Sequence, residues 1–217
     1  MIHVFYCTSG ERLDDILYNS FLNKIPQVYQ EEIAKFRKWE DRQHRVLGKI
    51  LLMKGVEMLG LKGYSLDQLQ FTKLKRPYFN RSIDFNISHS GKYVVCAISA
   101  SASIGIDVEE IKDIQITDFT NEFSIEEIKS ILSSTNSLHS FYSLWTKKEA
   151  FLKAIGTGLY LPLNKVHETG NKISWENKEW FLTQLNLDES YCAHVCADVF
   201  DSPVKIHEVN MGAMDLD

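Results

Sequence analysis

The nine residues "SIGIDVEEI" at positions 103–111 restrict what this chain can fold into more than any other stretch. Ile104, Ile106 and Val108 alternate with Gly105, Asp107 and Glu109, and a period of two is a strand signal. One face of such a strand is apolar. The other carries Asp107 and Glu109 side by side, about 6.6 Å apart along the backbone. Two carboxylates that close repel each other unless water or a cation screens them. On these residues alone two readings stand: a half-buried strand with a solvated acidic edge, or an acidic face that holds a cation.

Other strand-like runs surround this one. "IHVFYCT" reads as a first strand, "LQFTKLKRPYF" as a strand entering a turn at Pro77, and "DFNISHS" and "KYVVCAIS" as strands separated by a turn at Gly91. Helical periodicity covers residues 13–22. It returns in a long region from Pro26 to Gly60, predicted as two helices that break near Trp39 to Asp41. After the acidic strand, "SIEE" is a capping box with Glu127 three residues beyond Ser124. A second strong helix, "LHSFYSLWTKKEAFLKAIG", ends at Gly156. The tail holds a hairpin-like pair, "EWFLTQLNL" and "SYCAHVCADVF", then "PVKIHEV", and residues 211–217 read as a loose terminus. "QEEIAKF" at 30–36 echoes "IEEIKSI" at 125–131, each ahead of a long helix. That repeat is compatible with two pseudo-equivalent halves meeting near residue 100.

With 44% hydrophobic and 24% charged residues over 217 positions, the chain has ample material for a core. No apolar run approaches the ~20 residues of a membrane helix, and the N-terminus lacks the basic region and cleavage site of a signal peptide. A cytoplasmic, membrane-free protein is therefore expected. Cys7, Cys96, Cys192 and Cys196 are scattered through strand-like sequence, which suits reduced thiols. The net charge of −5 argues against a nucleic-acid coat protein.

Several stretches could carry chemistry. On the second strong helix Trp145, Glu149 and Lys153 follow at i, i+4, i+8 and share one face, with Phe141, Leu144, Lys148, Phe151 and Leu152 beside or behind it. Glu149 and Lys153 are either an ordinary surface pair, worth about 0.3–0.5 kcal/mol, or the charged lining of a cleft. "FNISHSG" sets Ser88, His89, Ser90 and a backbone amide at one turn, where an anion such as phosphate can be bound. Asp41, Arg45 and Lys49 share a helix face, and "KLKRP" adds Lys73, Lys75 and Arg76; solvated surface and phosphate contact both remain open for these. "CAHVC" is not a zinc site: on a straight strand Cys192 and Cys196 stand roughly 13 Å apart, too far for ~2.3 Å bonds to one tetrahedral ion.

Taken together, "FNISHSG", "IGIDVEEI" and "LWTKKEAFLKAIGTGL", in this order and spacing, resemble the three signature blocks of the 4′-phosphopantetheinyl transferase superfamily, in its surfactin-synthetase-type, single-chain pseudo-dimeric form. The resemblance runs from about Lys35 to Lys165. It implies an α+β fold of two pseudo-symmetric subdomains, residues 1–102 and 103–217, each with a small antiparallel sheet and helices, the second carrying the metal ligands. It implies transfer of the 4′-phosphopantetheine group from coenzyme A to a serine of an acyl or peptidyl carrier protein, with Mg²⁺, and release of adenosine 3′,5′-bisphosphate. Asp107, Glu109 and Glu149 are then the Mg²⁺ ligands, and Glu149 and Lys153 the catalytic base and acid. Arg45, Arg76, Ser88, His89, Lys148 and Lys153 are the coenzyme-binding residues, with Arg45 on the 3′-phosphate and Arg76 on the adenine side. At ~5 Å and an effective dielectric near 20, one carboxylate–phosphate pair repels by about 3 kcal/mol, so three carboxylates facing a diphosphate call for a hard cation between them. Two departures stand out: Lys75 where the family often has Gly before the basic residue and proline, and Glu31 and Glu32 where relatives often carry lysines. A monomer is expected, since a pseudo-dimer has little need to dimerise, and residues 112–123 are expected to help dock the carrier through Phe119 and Phe123.

Overall fold

The computed structural model describes residues 1–80 and 82–213. Strand β1 (Ile2–Thr8) leads into helices α1 (Asp15–Asn23), α2 (Gln27–Ala34) and α3 (Trp39–Met58), so the predicted helix break falls at residues 35–38, just ahead of Trp39. A short hairpin of β2 (Leu69–Phe71) and β3 (Pro77–Phe79) precedes β4 (Asp84–Ser90) and β5 (Tyr93–Ser99). The second half opens with β6 (Ile104–Glu110) and continues through α4 (Ile125–Ser133) and α5 (Ser137–Ile155). It then forms β7 (Glu168–Thr169), β8 (Lys172–Trp175), β9 (Lys178–Gln184) and β10 (Tyr191–Ala197), before a last strand, β11 (Val204–Glu208). The capping box forms as read: Ser124 accepts from Glu127 N–H, and the Glu127 carboxylate accepts from Ser124 N–H. Gly156 closes α5 at φ +73°, a conformation that glycine adopts without steric cost.

The two halves repeat one strand order. In the first sheet β11, β1, β5 and β4 lie side by side; in the second the order is β6, β10, β9, β8, β7. The antiparallel cores β1–β5–β4 and β6–β10–β9 therefore correspond, and the repeat "EEI" falls in α2 and α4, each ahead of the long helix of its half. The additions differ. The first sheet gains β11, which pairs parallel to β1, and Met211 beyond it is buried in the first core, so the tail is not loose up to that point. Residues 214–217 lie outside the described residues.

Alternation sorts the side chains into layers. Phe5, Leu47, Leu51, Phe85 and Ile98 fill the space between α3 and the first sheet. Val4, Val95, Ala97, Ile104, Ile106, Val108 and Val195 form a core between the sheets. Phe151, Leu152, Leu182 and Cys196 pack α5 on the second sheet. No helix among the described residues is long and apolar enough to cross a membrane.

Strands β4 and β6 are edges of their sheets, and an unpaired edge leaves backbone amides without partners. Here side chains supply them. Asp84 Oδ2 accepts from Ile104 N–H at 2.8 Å, Asn86 Oδ1 from Ile106 N–H at 3.0 Å, and Ser90 Oγ from Glu110 N–H at 3.1 Å. Each partner lies twenty positions further along the chain, so the two edges run parallel in a fixed register. Arg76 clamps one end: its guanidinium donates to Lys153 O, Asp84 Oδ2 and Ile104 O at 2.8–2.9 Å. Replacing Asn86 with Ala leaves a buried amide unpaired, and thermal or urea unfolding should show a loss of about 1–3 kcal/mol. A loss confined to a few tenths would mean that the ladder contributes little.

Candidate active site

The ladder's far end opens into a cleft of about 280 Å³ lined by Ile87, Ser88, His89, Asp107, Glu109, Trp145, Glu149 and Lys153. Three elements meet there: the end of β4, the acidic face of β6 and the Trp145–Glu149–Lys153 stripe of α5. Gly105 permits the approach, because a Cβ at that position would run into the carbonyl of Ala150 and the amide of Ala154. The helix backbone thereby presses onto β6 two residues before Asp107.

Asp107 is 3% exposed, and its Oδ1 accepts from Lys153 Nζ at 2.6 Å and Ser88 Oγ at 2.9 Å. Lys153 also donates to Ser88 Oγ at 2.8 Å. Oδ2 of Asp107 is buried without a hydrogen-bond partner, which is costly for a carboxylate oxygen. Glu109 Oε2 accepts from Ser90 Oγ at 2.7 Å. Burial, reinforced by the charge of Asp107, pushes the Glu109 carboxyl up to about 7, and the same two causes raise that of Glu149. Three carboxylates thus face one ammonium, with a negative excess when all are ionised.

Whether these residues suit a cation can be judged from their chemistry. Among the described residues, no three Asp, Glu, His or Cys side chains converge tightly enough to encircle an ion, and Lys153 takes the central position on Asp107. The donors are nevertheless all oxygens, one of them buried and unpartnered, and the charge excess is negative. That set fits a hard divalent cation.

Beside the carboxylates, His89 stacks on His44 with ring centroids 4.8 Å apart. Burial first, then the neighbouring His44, Lys153 and Arg45, push its imidazole down to about 4, so it is neutral at neutral pH. Beyond it lies a second cleft of about 640 Å³, lined by Glu32, Ile33, Lys35, Phe36, Arg45, Lys49, Phe71 and Lys75. The Arg45 guanidinium sits 3.8 Å over the Phe36 ring. Lys75 holds φ at +63° in the β2–β3 turn, a left-handed conformation that glycine would adopt more easily and that costs a side-chain-bearing residue about 1 kcal/mol. The lysine replacing glycine thus keeps the turn and adds an ammonium to the cleft.

Not every expected residue reaches these clefts. Arg76 lines neither cleft, and its Nε and Nη2 donors are taken up by the clamp described above. Lys148 points away from the carboxylates: it is fully buried, with Nζ 2.7 Å from Glu127 Oε2 and 3.0 Å from Leu163 O. Four residues on from Leu144 and three from Trp145, it lies where α5 meets α4, a facing that helical periodicity alone does not separate from the cleft side. Phe123 is likewise buried, against Phe141, while Phe119 stays partly accessible. His44 gave no signal beyond its place beside Arg45. The "CAHVC" segment is core: both thiols are buried, and His194 Nδ1 pairs with Thr146 Oγ1 at 2.8 Å.

Comparison with known proteins places the chain. Residues 103–203 match the 4′-phosphopantetheinyl transferase superfamily, and residues 15–101 match the N-terminal region of a 4′-phosphopantetheinyl transferase. The chain is 28% identical to 4′-phosphopantetheinyl transferase gsp of Aneurinibacillus migulanus, over all of this chain and 94% of that one. It is 30% identical to 4′-phosphopantetheinyl transferase Sfp of Bacillus subtilis, over 88% of this chain and 89% of that one. It is 35% identical to psf-1 of Bacillus pumilus, over 75% and 74%. The chain belongs to the 4′-phosphopantetheinyl transferase superfamily, in its two-half, Sfp-like form. As an enzyme it is a 4′-phosphopantetheinyl transferase.

The half-buried Glu109 makes a pH signature. In cation-free protein the folded state keeps its proton up to about pH 7, whereas the unfolded chain releases it near 4.5. Between those values the folded state binds more protons, so this group's contribution to stability falls as pH rises. His89 acts in the opposite sense, losing stability as pH falls from 6.5 toward 4. The comparison must therefore be with Glu109→Gln. In EDTA, the wild-type Tm should fall relative to that of the variant from about pH 5 to pH 7, and parallel curves would refute the desolvated, protonated carboxyl.

Proposed function

We propose that the enzyme moves the phosphopantetheine arm of coenzyme A onto a serine hydroxyl of an acyl or peptidyl carrier protein, releasing adenosine 3′,5′-bisphosphate. The observation that carries this reading is the cleft itself, with buried Asp107 and half-buried Glu109 and Glu149 beside Lys153, Ser88 and His89. Asp107, Glu109 and Glu149 would hold Mg²⁺, which supplies the positive charge that lets a diphosphate lie against three carboxylates. Neutral His89 offers a hydrogen bond to the diphosphate, and Ser88 would contact it by turning toward the phosphate oxygens the proton it gives here to Asp107 Oδ1. Arg45, aided by Lys49 and Lys75, holds the 3′-phosphate in the basic cleft.

In the transfer, the serine oxygen forms a bond to the phosphorus attached to the pantetheine, and the bond from that phosphorus to the bridging diphosphate oxygen breaks. Glu149 accepts the serine proton, directly or through a water. Lys153, within hydrogen-bond reach of both Ser88 and Asp107, neutralises the departing oxygen and protonates it. Residues 1–102 and 103–217 form two pseudo-equivalent units in this reading, supported by the common order of β1–β5–β4 and β6–β10–β9, with β11 and Met211 returning from the second stretch to the first sheet and its core. We place the enzyme in the cytoplasm as a monomer.

Intact-mass spectrometry of apo acyl and peptidyl carrier proteins, incubated with the enzyme, coenzyme A and Mg²⁺, tests this directly. The expected gain is one phosphopantetheine, abolished by EDTA and lowered at least about a hundredfold in rate by Lys153→Ala. Phosphopantetheine set free without a carrier would instead indicate a phosphohydrolase, and coenzyme A binding without transfer an inactive binding module.

The two arginines should separate. Arg45→Ala should raise the KM for coenzyme A about tenfold with little change in Tm, as expected for loss of a charged hydrogen bond at an exposed position. Arg76→Ala should leave that KM near wild type while costing about 3 kcal/mol of stability, because it uncovers Asp84. The reverse pattern would return Arg76 to the coenzyme.

A further inference from the structure

We infer that Ser90 is a positioning residue for the carboxylate cluster, reaching from the first half of the chain to orient Glu109 in the second. This rests on the reading of Asp107, Glu109 and Glu149 as a cation site. The geometry behind it is a matched pair of contacts. Ser88 and Ser90 lie two apart on β4 and share a face; Asp107 and Glu109 lie two apart on β6 and share a face. Ser88 Oγ donates to Asp107 Oδ1 at 2.9 Å, and Ser90 Oγ donates to Glu109 Oε2 at 2.7 Å. Each hydroxyl serves one carboxylate, nineteen positions further along the chain.

Ser90 differs from Ser88 in what holds it. Ser88 Oγ also accepts from Lys153, a side chain of the cleft. Ser90 Oγ accepts instead from the backbone amide of Glu110 at 3.1 Å. A hydroxyl has one proton to give. With its acceptor side engaged by a backbone amide, the Ser90 proton is directed at Glu109 Oε2 and the torsion of the Glu109 side chain is restrained. Oε1 is left as the oxygen available to another partner. Hydrogen-bonded partners behind a ligating carboxylate typically change metal affinity about 10- to 100-fold.

The test reads cation binding rather than turnover. Free Mn²⁺ is measured by electron paramagnetic resonance in titrations of the full-length protein without coenzyme A, and each variant's fold is checked by its Tm. Ser90→Ala should weaken Mn²⁺ binding about 10- to 100-fold, and Ser90→Thr, which keeps the hydroxyl, should stay within about threefold of wild type. In a Glu109→Gln background, Ser90→Ala should add less than about a twofold loss, because the oxygen it orients has already changed. Wild-type affinity in Ser90→Ala with only a lowered Tm would overturn the inference and leave Ser90 a ladder residue. Equal losses in both backgrounds would overturn it as well. Should Ser90→Ala not fold, Ser90→Cys carries the same comparison: an affinity loss supports the role, and full affinity refutes it. Asp107→Asn separates this inference from the reading beneath it. If Asp107→Asn abolishes Mn²⁺ binding while Ser90→Ala does not weaken it, Ser90 alone is misassigned. If wild type and Asp107→Asn bind Mn²⁺ alike, the cation site itself is refuted.

Discussion

Two sheet edges that share no backbone ladder hold this enzyme together. Strands β4 and β6 run parallel, and in place of main-chain pairing the side chains of Asp84, Asn86 and Ser90 accept the amides of Ile104, Ile106 and Glu110. Buried amides need partners wherever they lie, so this ladder fixes the register between the halves to a single value. That register is also what sets Ser88 and Ser90 opposite Asp107 and Glu109. A slip of one residue would reverse the face of every side chain, and the serines would meet valine and isoleucine instead of carboxylates.

From that register the electrostatics of the site follow. The acidic face of β6 is covered by α5, which can come so near because residue 105 has no side chain. Covering the face withdraws water from the carboxylates, and desolvation is the leading cause of the raised carboxyls of Glu109 and Glu149. Lys153 offsets part of the charge and spans from Asp107 to Ser88, tying α5 to β6 and to β4 at once. The cleft is thus assembled from both halves, while its acidic groups all lie in the second.

Much of this was legible in the chain. Period-two alternation marked β6, strand-like runs on either side of Gly91 marked β4 and β5, and the capping box and Gly156 marked the start of α4 and the end of α5. Signature residues picked out Ser88, His89, Asp107, Glu109, Glu149 and Lys153, which the fold gathers in one cleft. Arg76 and Lys148 fell outside it for one physical reason: a cation is long enough to serve either a ligand or the protein's own oxygens, and sequence does not say which is nearer. Arg76 found two backbone carbonyls and Asp84; Lys148 found Glu127 and Leu163 O. Phe123 likewise turned inward onto Phe141, because a large apolar ring next to a core is more stable inside it.

By itself the sequence determined the local choices: which segments alternate, where helices begin and stop, and which residue types bear carboxylates, amines and hydroxyls. These depend on neighbours within a few positions, and so can be read from spacing. Tertiary structure alone decided the partnership of β4 with β6, the return of β11 to β1, the stacking of His44 on His89, and the interior roles of Arg76 and Lys148. Those depend on groups tens or hundreds of positions apart, and their pairing is set by the burial of unsatisfied donors, acceptors and charges once the two sheets close on each other.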